Sequence, residues 1–92
     1  PEIFRGMPAI SVFFGITIRM YYADHSPPHF HAEYQGQVGK FTIQGEMIVG
    51  RIISRPARRL IREWASLHRD ELEANWHRTQ RHLPIVNIAP LP

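Results

Sequence analysis

Between Asp24 and Glu33 the chain reads Asp-His-Ser-Pro-Pro-His-Phe-His-Ala-Glu, which puts three of its six histidines and two carboxylates inside ten residues. Imidazole and carboxylate are the side chains that exchange protons near neutral pH and that bind borderline divalent metals. Pro27 and Pro28 hold the approach extended and remove two backbone donors, so His29 opens a strand rather than a helix. In a strand, side chains alternate between faces. His29, His31 and Glu33 then share one side, and Phe30, Ala32 and Tyr34 take the other. With His25 arriving from the loop, this set can ligate a divalent transition metal such as zinc or nickel, or act as a general acid–base pair.

The spacing is permissive rather than diagnostic. Zinc-finger Cys/His spacing and the helical His-Glu-x-x-His pattern are both absent, and the chain is too short for a double-sheet barrel carrying a strand-borne His-x-His. The more economical reading is structural: these histidines stack on Tyr21, Tyr22 or Tyr34, or hydrogen-bond Asp24 and Glu33. Ser11, Ser26, Ser54 and Ser66 have no nucleophile motif around them. No metal or other cofactor follows from the residues with certainty.

Two further groups stand out near the C-terminus. His68 falls in the apolar stripe of a predicted helix between Trp64 and Leu72, with Glu71 and Asn75 on the same side. These three either meet the His29/His31/Glu33 face and close a polar pocket, or His68 is a satisfied core histidine, which is the simpler arrangement. Arg58, Arg62 and Arg69 line one helical edge as a candidate surface for a protein or RNA partner. Interleaved acids such as Glu63 and Glu73 favour a solvated face instead.

Positioning these residues takes a small antiparallel sheet. Alternation predicts strand from Ile10 to about Tyr22, with Gly15 as either a tight turn between two short strands or a bulge in a long one. Strands over His29–Tyr34, Val38–Ile43 and Glu46–Ile52 follow, joined by turns at Gln35–Gln37 and Gln44–Gly45. From Ser54 the period becomes helical: Ser54 is the N-cap, Pro56 lies in the first turn, and Ala57, Leu60, Ile61, Trp64, Ala65, Leu67 and Leu72 form one stripe. The expected fold is α+β, with three to four strands packed against one long C-terminal amphipathic helix ending between Trp76 and Leu83. Pro84 to Pro92 is then an extended tail whose Ile85, Val86, Ile88 and Leu91 are free for an edge strand or a partner.

The 92 residues suit one domain at the small end of what folds alone, for which a homodimer is a natural supplement. With no cysteine, neither a disulfide framework nor a thiolate site is available. No run is long and apolar enough for a membrane span, and no basic start with an apolar run marks a leader, so a soluble cytoplasmic protein is expected. The formal charge is only +3, yet all cations but Lys40 are arginine, which suits bidentate contact with carboxylate or phosphate. No helix-turn-helix, RNA-binding signature or Gly-rich phosphate loop is present.

Several stretches carry a resemblance. They are Met7-Pro-Ala-Ile-Ser-Val-Phe-Phe-Gly-Ile-Thr-Ile-Arg-Met-Tyr-Tyr, Asp24-His25, Pro27-Pro28-His29-Phe30-His31-Ala32-Glu33, Gly45-Glu46 and the run from Arg62 to Trp76. Together they resemble a bacterial family known only as domain of unknown function 4160, over roughly Met7 to Trp76, with Pro1 to Gly6 preceding its usual start. The resemblance implies a small stand-alone protein in a toxin–antitoxin setting and assigns no catalytic residue. Two functions follow: a binding or regulatory module of toxin–antitoxin type, which asks less of so short a chain, or a small metal-dependent or acid–base phosphodiesterase using His25, His29, His31 and Glu33.

Overall fold

The computed structural model describes residues 8–92; the expected extension at residues 1–6 lies outside them. Five antiparallel strands form one sheet in chain order: β1 (Ala9–Phe13), β2 (Ile16–Arg19), β3 (His29–Tyr34), β4 (Gln37–Thr42) and β5 (Met47–Gly50). Two helices follow, α1 (Arg55–Leu67) and α2 (Arg69–Gln80). This corrects the expectation of three to four strands under one long helix. The fifth strand exists because Phe14 and Gly15, both at positive φ, make a two-residue hairpin turn matched to strand twist.

The helix divides at His68, whose φ of −120° and ψ of 28° leave the helical region. Its backbone N–H still donates to the Trp64 carbonyl, and its carbonyl accepts from Leu72, so the break is one residue wide. Ser54 begins α1 as expected: its hydroxyl accepts from the Ala57 N–H at 3.1 Å, with Pro56 inside the first turn.

The core lies between the sheet and α1. Ile16 and Ile18 from β2, Phe30 and Ala32 from β3, and Phe41 from β4 face Ile61, Trp64 and Ala65, all fully buried. Trp64 packs edge-on to Phe30 with centroids 5.6 Å apart, and tilted on Phe13 at 5.4 Å. Gly45, at φ +91°, lets α1 cross the β4–β5 turn closely; a Cβ there would stand 2.8 Å from the Arg62 Cα. The opposite face of the sheet carries cross-strand rows, Val12–Thr17–Glu33–Val38 and Arg19–His31–Lys40–Val49.

Of the two expected roles, an edge strand or a partner, the tail takes a place along the sheet edge within its own chain. The Ile88 N–H donates to the Ile10 carbonyl at 2.8 Å, which covers part of the β1 edge. Trp64 Nε1 donates to the Ala89 carbonyl at 2.9 Å, and Ile88 and Leu91 are buried. Ile88 and Leu91 therefore offer little surface to a second copy, while Val86 stays exposed.

Candidate functional site

The histidine face of β3 is built at the strand's first turn of pleat. His29 and His31 point to the same side, with ring centroids 5.1 Å apart and the planes nearly perpendicular. Over them folds the loop from Tyr21 to Pro28, in which the Ser26–Pro27 peptide is cis. Two contacts tie this loop to the end of α2: the Ala23 N–H donates to the Thr79 carbonyl at 3.3 Å, and the Gln80 amide donates to the Asp24 carbonyl at 3.1 Å. The loop thereby carries Asp24 onto the two imidazoles.

Asp24 Oδ2 lies 2.8 Å from His29 Nε2 and 3.3 Å from His31 Nε2, while Oδ1 accepts from the His25 N–H at 2.8 Å. His29 is 1% exposed, under the loop and against Trp76, whose ring centroid is 5.1 Å away. Its Nδ1 donates to the Pro27 carbonyl at 2.8 Å, since a carbonyl can only accept. His31 stacks flat on Tyr21 at 4.2 Å. Burial alone would raise the Asp24 carboxyl, but the His25 N–H and the two imidazoles outweigh it and hold the group below its ordinary value. Burial lowers His31, opposed by its hydrogen bond to Asp24 and aided by the neighbouring His29 and Lys40.

Only part of the expected site is assembled. His29 and His31 are in it. His25 offers its backbone N–H and is exposed. Glu33 shares the sheet face but is drawn to Arg19 across β2, whose Nε donates to its Oε2 at 2.8 Å. His68 stays in the helix layer, its Nδ1 bonded to Glu71 and its ring tilted on Trp64 at 5.7 Å, as a satisfied histidine rather than a pocket wall. Asn75 binds the tail. Asp24, expected as a hydrogen-bond partner of these histidines but not among the metal ligands, is the third member of the cluster. It precedes a Pro-Pro turn, which can fold it back over a His-x-His strand.

The arginine edge is also rearranged. The break at His68 puts Arg69 on α2, while Arg58 and Arg62 are on α1. Arg55, Arg58, Arg59 and Arg62 gather around one recess of about 180 Å³ at the start of α1. Arg62 pairs with Glu46 at 3.1 Å on the surface, and Arg58 donates to the Ile52 carbonyl.

Among the described residues no helix is long and apolar enough to cross a membrane. Comparison with curated proteins and with solved structures gives no match. The model of the family described as Domain of unknown function (DUF4160) matches residues 15–77, a span that contains both the histidine cluster and α1 and is more than half of the chain, and the protein belongs to that family.

Proposed function

We propose that this protein is a cytoplasmic binding and regulatory module of toxin–antitoxin type that seats an acidic stretch of a partner protein on the arginines of α1. The observation that carries this reading is the four-arginine recess. The first turn of α1 holds no acidic residue, so the positive end of the helix adds to the arginines instead of being offset. Arg62 has a carboxylate partner only in an exposed bridge, which contributes little, and Arg58 is bonded to a carbonyl that leaves its charge unbalanced. Four guanidinium forks around one concavity suit bidentate carboxylate recognition. Ile53, 74% exposed just before the helix, adds an apolar contact that favours a protein over an RNA.

The test is charge reversal at the two exposed arginines Arg55 and Arg59, as Arg55→Glu with Arg59→Glu. The complex formed by the chain in its native cells should survive nuclease treatment and be lost in the double variant, whose melting temperature stays that of the wild type. A complex destroyed by nuclease, or one indifferent to the reversal, defeats the reading.

One observation favours a second reading, metal-dependent or general acid–base hydrolysis of a phosphodiester. A single carboxylate contacts two imidazoles, one of them partly open to solvent. Turnover of an activated phosphodiester that disappears in His31→Ala would support it, and turnover that persists would end it.

A further inference from the structure

We propose that Asp24, His29 and His31 form a binding site for one divalent transition metal, which does not depend on the binding-module reading above and whose zinc-binding test is separate from any turnover. One donor atom from each residue lies within 4.8 Å of the other two. A metal held by bonds of about 2.0–2.2 Å at about 90–109° places neighbouring donors roughly 2.8–3.6 Å apart. The observed 2.8 Å and 3.3 Å separations to Asp24 Oδ2 fall within that range.

The hydrogen-bond directions argue in the same sense. His29 Nδ1 carries its proton toward the Pro27 carbonyl, so in neutral imidazole Nε2 presents a lone pair. That lone pair faces a carboxylate oxygen at 2.8 Å. Two acceptors at this distance repel unless they share a positive centre, either a second ring proton on the line between them or a metal ion beside that line and bonded to both. Donation of the remote ring nitrogen to a backbone carbonyl is also the usual outer support of a metal-bound histidine.

The rest of the site is preorganised. Tyr21 fixes the plane of His31, the His25 N–H fixes the Asp24 carboxylate, and two bonds to α2 hold the loop. The side chains of His31 and Asp24 are 24% and 22% exposed, so an ion enters from solvent and keeps a position open there. Two imidazoles and one carboxylate suit zinc, nickel or iron(II) rather than magnesium or calcium. Lys40, opposite His31 on β4, opposes a cation, whereas Arg19, opposite on β2, is already offset by Glu33.

The experiment titrates zinc into untagged, chelator-stripped protein against a competing chromophoric chelator, with the visible absorption of the cobalt(II) form as a second readout of the ligand set. One ion per chain is expected. Asp24→Asn and His31→Gln should each weaken binding by at least about 100-fold and change the cobalt spectrum, since loss of a ligand costs no less than loss of its outer support. His25→Asn and Glu33→Gln should change neither, and Lys40→Met should tighten binding. His31→Gln, at a partly exposed position, carries the test if Asp24→Asn fails to fold. Absence of stoichiometric binding means that a proton joins His29 to Asp24, and overturns the proposal. Zinc affinity indifferent to Asp24→Asn and His31→Gln, or lost in His25→Asn, overturns it equally.

Discussion

The carboxamide of Asn75 bonds both polar groups of a single residue's backbone: Nδ2 donates to the Val86 carbonyl at 2.7 Å, and Oδ1 accepts from the Val86 N–H at 2.9 Å. A side chain on α2 thus imitates a neighbouring strand for the tail. Asn75 is fully buried, and its oxygen also accepts from Arg78 at 2.9 Å. Tyr22 extends the same clasp, donating to the Leu83 carbonyl and accepting from the Ile85 N–H.

Asn75→Ala removes both bonds and strands two backbone groups, so a loss of about 2–3 kcal/mol is expected. For a domain of this size that is a fall in Tm of roughly 10–20 °C. Limited proteolysis of the variant should cut within residues 84–92 first, ahead of the sheet. A tail equally resistant in variant and wild type would show that Ile88 and Leu91 hold it without the clasp.

Stability should fall with acid in two stages set by the site. Asp24 and His31 both have folded-state values below their ordinary ones, so the folded protein binds fewer protons than the unfolded chain and gains stability as pH rises. The His31 contribution is complete above the ordinary value of 6.5 and is lost as pH falls through its lowered value. The Asp24 contribution is lost below the ordinary value of 3.8. Denaturant midpoints of metal-free protein across this range should show the upper stage in the wild type and not in His31→Gln. The groups facing His31 are Asp24, His29, Tyr21, Lys40 and Arg19.

Gly45→Ala combines a left-handed backbone with a Cβ 2.8 Å from the Arg62 Cα, a backbone atom that cannot swing aside. The cost should exceed about 2 kcal/mol and separate α1 from the β4–β5 turn. Equilibrium unfolding measures it; a change within about 0.5 kcal/mol would mean that the helix can lift off without penalty.

The arginines of the recess should divide by role. Arg55→Ala and Arg59→Ala change exposed side chains and should leave stability within about 0.5 kcal/mol while weakening the partner. Arg58→Ala releases the Ile52 carbonyl and should cost about 1 kcal/mol besides. Thermal melts alongside partner affinity separate the two effects.

What the chain declares locally is what the structure keeps. Strand β3 spans His29–Tyr34 as alternation predicts, because a two-residue period against a core face leaves one register. Ser54 and Pro56 start α1 because capping needs only neighbouring atoms. The helix break was not legible: Ile61, Trp64, His68, Leu72, Asn75, Trp76 and Thr79 keep one helical phase straight through His68, so periodicity carries no mark of it. Long-range pairing decided the rest. Glu33 left the site because antiparallel register put it beside Arg19, and Asp24 entered because α2 holds its loop over β3. The tail went to Asn75, Trp64 and the β1 edge, since those partners lie 11 to 78 positions away and only closure of the core brings them together.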